Sequence, residues 1–104
     1  MALIDEVRFA LTRIDSSLGT AVESEFQRYI DAAILDLTET TDIKPFTAET
    51  ADALLKEAII TFALYSFEKD STRKDKYKVA YDDLKTKLLM SSKYSTLGAT
   101  EEEI

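Results

Sequence analysis

Cysteine and histidine are both absent from this chain of 104 residues. Without cysteine there is no disulfide framework and no thiolate to serve as nucleophile or metal ligand. Without histidine the usual zinc sites and the commonest general base are missing. Two glycines and one proline suit long helices with few tight turns. No apolar run approaches the ~20 residues that cross a bilayer. The first residues, MALIDEVRFAL, carry acids where a secretory signal needs a basic start, and their apolar positions are spaced rather than continuous. The expectation is one domain, 45% hydrophobic, made in a reducing cytoplasm.

What is present is helical periodicity. Residues 51–67 hold 12 apolar side chains, no glycine and no proline. Leu, Ala, Glu and Lys favour helix, so this run reads as one long central helix. Ala51, Leu54, Leu55, Ala58, Ile59, Phe62 and Tyr65 share one broad face. Ala53, Ile60, Leu64 and Phe67 fall on the other. Only Lys56, Glu57, Thr61 and Glu68 form a strip suited to water. Such a helix needs cover on more than one side, from its own chain or from another subunit.

Three further helices are expected around it. The first spans about residues 2–13, with Leu3, Val7, Ala10, Leu11 and Ile14 inward. A break comes over residues 15–19, where Gly19 permits a positive φ. Thr20 and Glu23 have the spacing of a capping box for a second helix over about residues 21–40. Its stripe is Val22, Phe26, Tyr29, Ile30, Ala33, Ile34 and Leu37. Pro45 ends any continuation, and Ile43 and Phe46 fold back over the bundle. Thr47 or Thr50 caps the central helix. Asp70, Ser71 and Thr72 are candidate caps for the fourth helix, about residues 73–92, which buries Tyr77, Ala80, Tyr81, Leu84 and Leu88. The short link before it makes an antiparallel hairpin. Val79 and Met90 lie off its buried face. The fold class is therefore all-α: a small antiparallel bundle of about four helices in residues 2–94. Residues 95–104 form a flexible acidic tail.

No catalytic constellation emerges. There is no glycine-rich phosphate loop and no metal-ligand cluster. Asp5–Glu6 and Asp82–Asp83 are adjacent, so their carboxylates diverge on a helix. Asp31 with Asp36, and Glu49 with Asp52, have spacings common on any acidic helix. Tyr65, Tyr77 and Tyr81 fall at core positions. No enzymatic activity, cofactor or metal is expected, and aromatics are not interleaved with a basic patch as single-strand binding requires.

Surfaces for association remain. The net charge is −7, unevenly placed: −8 in residues 1–68, +4 in residues 69–93 and −3 beyond. Two readings fit, ordinary solvated faces or a basic fourth helix (Lys74, Lys78, Lys85) meeting the acidic side (Glu25, Asp36) of an identical neighbour. Phe9 is either a half-covered surface ring or a partner anchor. Ile60, Leu64 and Phe67 are covered by the first helix or the 40–46 loop, or else form a ridge facing another subunit.

Taken together the chain resembles the small head–tail connector proteins of long-tailed phages and prophages. The residues that carry the likeness are MALIDEVRFALTRID at the start, FQRYIDAA in the second helix, and LLKEAIITFALYSF in the central one. The spacing of Tyr77, Tyr81, Leu84 and Leu88 matches the last helix, and LLMSSKY, ending at Tyr94, matches the close. The resemblance covers about residues 2–94. It implies a homo-oligomeric ring, a dodecamer in the virion, seated below the portal protein at the head–tail interface. Such a ring completes the DNA-filled head and docks the next tail-joining protein. DNA passes through without specific binding, no membrane is involved, and no catalytic residues come with the role. An acidic channel wall would repel the passing phosphates. The alternative from charge alone is a small acidic helical regulator, or DNA mimic, that binds a basic protein.

Overall fold

The computed structural model describes residues 2–96. Four helices succeed one another: α1 (Leu3–Thr12), α2 (Glu23–Glu39), α3 (Ala53–Phe67) and α4 (Ser71–Leu89), with a 3₁₀ turn at Ser16–Thr20 between the first two. No strand occurs among the described residues, and the fold is the expected all-α bundle.

In α1 the i, i+4, i+8 residues Leu3, Val7 and Leu11 are buried, which commits one face to the core. Arg8 ties α1 to the start of α2. Its guanidinium lies 5.0 Å from the Phe26 ring centroid and donates from Nη2 to the Ala21 carbonyl at 3.1 Å. The break after α1 is made by Asp15, whose carboxylate accepts from the N–H and hydroxyl of Ser17. Gly19 does not take a positive φ, because the chain turns here by 3₁₀ winding. That winding also dissolves the capping box. Thr20 lies inside the turn and donates to the Ser17 carbonyl, and Val22, which has no capping side chain, precedes Glu23. Val22 is exposed rather than part of the buried stripe, since α2 starts beyond it. Glu23 and Glu25 in the first turn favour the positive end of the helix dipole. Phe26, Ile30, Ala33 and Leu37 are buried as expected.

The 40–46 loop folds back, with Ile43 buried and Phe46 packed against the core. Thr47 and Thr50 bond one another instead of capping α3. The cap is Asp52, which accepts from the Leu55 N–H at 3.2 Å. Asp70 is the cap of α4, accepting from the Arg73 N–H at 3.0 Å, so α4 starts at Ser71.

Helix α3 sits at the centre. It packs on α1, α2 and most extensively on α4. Ala58, Ile59 and Ala63 are wholly buried, and the two alanines let neighbouring helices approach closely. The broad face is therefore largely covered within the chain, whereas on the other Ile60, Leu64 and Phe67 are partly buried and Ala53 is exposed. Helix α4 has α3 as its principal neighbour, so its buried stripe narrows to Tyr81, Leu84 and Leu88. Ala80, expected inside, is exposed, and Tyr77 is half-buried. Glu68, expected in water, is buried. Its carboxylate turns inward to the N–H groups of the α3–α4 turn.

The chain after α4 does not leave the body at once. Ile43 and Ser95 form an antiparallel bridge. Lys44 N–H donates to the Tyr94 carbonyl at 2.7 Å, and Thr96 N–H to that of Asp42 at 2.9 Å. Ser95 is fully buried, so the boundary expected after Tyr94 falls inside folded structure. The rest of the expected flexible tail, residues 97–104, lies outside the described residues. The molecule measures 51 × 30 × 20 Å with a radius of gyration of 14.3 Å, longer than the ~13 Å of a compact domain this size.

Candidate functional site

The expected interface residues divide into those engaged within the chain and those that face outward. Ile60, Leu64 and Phe67 are partly buried and pack against the core. Phe67 meets Tyr29 edge-on, with centroids 6.3 Å apart at 87°. Ile60 also lines an open groove with Glu6, Ala53, Lys56, Glu57 and Thr61. The stripe is thus chiefly an internal seam, exposed only along one edge. Phe9 stands 59% exposed, with the Arg13 guanidinium 4.8 Å over its ring.

The basic and acidic residues meet inside the chain. Lys74 donates to the Tyr65 carbonyl at 3.0 Å, neutralising the negative end of α3. Lys78 pairs with Asp82 at 3.1 Å. Lys85 lies 3.9 Å from Asp36 and 3.7 Å from Asp82. Asp36 also accepts from the Tyr81 hydroxyl at 2.6 Å; burial, then that bond, pushes the Tyr81 phenol up. Part of the charge contrast expected between copies therefore ties α2 to α4 of one copy. Glu25 remains outside this network, on the exposed wall of a groove with Arg28, Tyr29, Ala32, Phe62 and Ser66.

Tyr94 is likewise engaged. Its hydroxyl donates to the Asp52 carboxylate, and the Lys93 ammonium stands 3.0 Å from the same oxygen. The Tyr94 bond, with the Lys93 and Leu55 donors, holds Asp52 down to about 2 against its burial.

Further side chains face outward, and of these the sequence pattern singled out only Phe9 as interface. On α4, Arg73, Lys76 and Lys87 are exposed and lie along one flank with Ala80. Among the described residues none of the three makes a side-chain hydrogen bond or ion pair. Large apolar side chains are exposed on three helices and their ends: Phe9, Val22, Leu35, Val79 and Met90, the last 80%. Leu35 could have been found, since at ~100° per residue it points opposite the centre of the Phe26–Leu37 stripe. The loss of Lys74 and Lys85 to internal partners could not, because it depends on how α4 lies across α3.

Among the described residues no three carboxylates gather to hold a metal, and no helix is long and apolar enough to cross a membrane. Family models, curated proteins and solved structures all yield no match to this chain.

Proposed function

We propose that this chain is a structural head–tail connector of a tailed phage or prophage. It forms a homo-oligomeric ring, of twelve copies in the virion, below the portal protein. The ring completes the DNA-filled head and docks the next tail protein. One observation carries this reading beyond the sequence likeness. Leu35 and Val79 point straight out from α2 and α4, each more than half exposed, on the outer faces of two different helices. Isolated exposed apolar residues are ordinary, but a ring subunit needs two unlike patches, one for each neighbour. The free basic flank of α4 and the acidic surface of residues 1–68 provide unlike charge for setting register. With most of α3 covered by its own chain, the ring is held by surface patches between folded subunits.

Native mass spectrometry and negative-stain microscopy, with and without the cognate portal, test the reading. Rings, or monomers that close into a ring on the portal, are expected. A monomer that ignores the portal and binds a basic protein tightly would replace the connector with the acidic regulator.

A further inference from the structure

A pocket of about 220 Å³ opens where the end of α1 meets the end of α3, lined by Ile14, Asp15, Phe67, Glu68 and Lys69. Its chemistry centres on Glu68, only 5% exposed. Oε1 accepts from the Lys69 and Asp70 N–H groups, each at 3.1 Å, and so holds the α3–α4 turn. Oε2 is buried and has no donor among the described residues. Buried carboxylate oxygens are rarely left without a donor, because the desolvated charge is costly. Asp15 adds a second carboxylate at the rim, and Ile14 and Phe67 supply apolar walls. A buried carboxylate oxygen in a pocket with apolar walls suits a guanidinium, whose planar donors can reach the oxygen while its weakly hydrated faces pack against Ile14 and Phe67.

We propose that this pocket takes the guanidinium of Arg73 from a second copy of the chain. The proposal rests on the ring reading above and names the contact that sets its register. Arg73 is exposed on the first turn of α4 and bonds through its side chain to nothing among the described residues. Lys76 continues the same basic flank, whereas four of the five residues lining the pocket, all but Lys69, belong to the segment whose balance is −8. Helices α1 and α4 each pack on α3 but not substantially on each other. The pocket, on the α1 side of α3, and Arg73, on α4, therefore share one end of the bundle but lie on separate flanks. Each copy can give one arginine and receive one, as a closed head-to-tail contact requires.

The absence of cysteine makes the test direct. Full-length Lys69→Cys and Lys76→Cys chains are mixed, alone and with the portal, and treated with a short bismaleimide. Linked peptides are read by mass spectrometry. A 69–76 link between the two chains is expected. Glu68→Gln retains an oxygen for the turn but replaces Oε2 with a donor, so circular dichroism stays unchanged and the link falls about tenfold. Arg73→Gln, which changes only an exposed side chain, lowers it equally. Rings that form with that link absent, or unaffected by Arg73→Gln, overturn the pocket assignment and leave the connector reading standing. No assembly under any condition overturns both.

Discussion

Asp52 performs three tasks with one carboxylate. It caps α3 through the Leu55 N–H, accepts from Tyr94 and pairs with Lys93. Its folded pKa of about 2 lies below the ordinary 3.8. A depressed acid contributes stability that is complete above its unfolded pKa and lost as pH falls through the folded one. That contribution should therefore fade between about pH 4 and pH 2. Asp52→Ala should lose ~0.5–2 kcal/mol for the cap plus the Tyr94 link, read by urea denaturation at neutral pH. Asp52→Asn keeps a capping oxygen but removes the charge, so its stability should lack this acid-dependent component. An Asp52→Ala deficit as large at pH 2 as at neutral pH would show that the carboxylate's charge is irrelevant.

At the scale of elements, α3 and α4 behave differently because they have different neighbours. α3 is packed by three helices, α4 chiefly by one. Leu64 on α3 is partly buried and packs against the core, so Leu64→Ala should destabilise by ~2 kcal/mol, the low end for a truncated leucine. Val79 on α4 is 62% exposed. Val79→Asp should leave the unfolding free energy in urea nearly unchanged, within ~0.5 kcal/mol, and, on the proposed connector reading, reduce ring formation seen by sedimentation. A large loss of stability in Val79→Asp would place that residue in an internal contact instead. The pair separates fold from assembly more cleanly than a charge placed at Leu64, which would have to enter the packing of α3.

For the whole molecule, the proposed ring would have charge placement set how copies meet. The surplus of −7 makes random association unfavourable, while the exposed Arg73, Lys76 and Lys87 offer one attractive flank. Salt screens exposed charges over ~10 Å or less. Raising the ionic strength should therefore first ease assembly, by muting general repulsion, and then weaken it by screening the basic flank. Sedimentation across a salt series should show an optimum at intermediate salt. Assembly that rises steadily with salt would mean that apolar contact alone holds the copies together.

Periodicity alone identified four helices, the central position of α3, and the burial of Phe26, Ile30, Leu37, Leu84 and Leu88. Spacing along a helix is local geometry, so the apolar side of each helix was legible without knowing its neighbours. The caps were less so: Thr47 and Thr20 have suitable chemistry, but the path of the preceding loop hands those roles to Asp52 and to none. Which helix covers which, and so whether Leu64, Lys74, Asp36 and Glu68 face inward or out, was decided only by tertiary packing. Burial and pairing depend on chain segments far apart in sequence, such as Asp36 with Tyr81 and Asp52 with Tyr94. No pattern of neighbours along the chain encodes such a meeting.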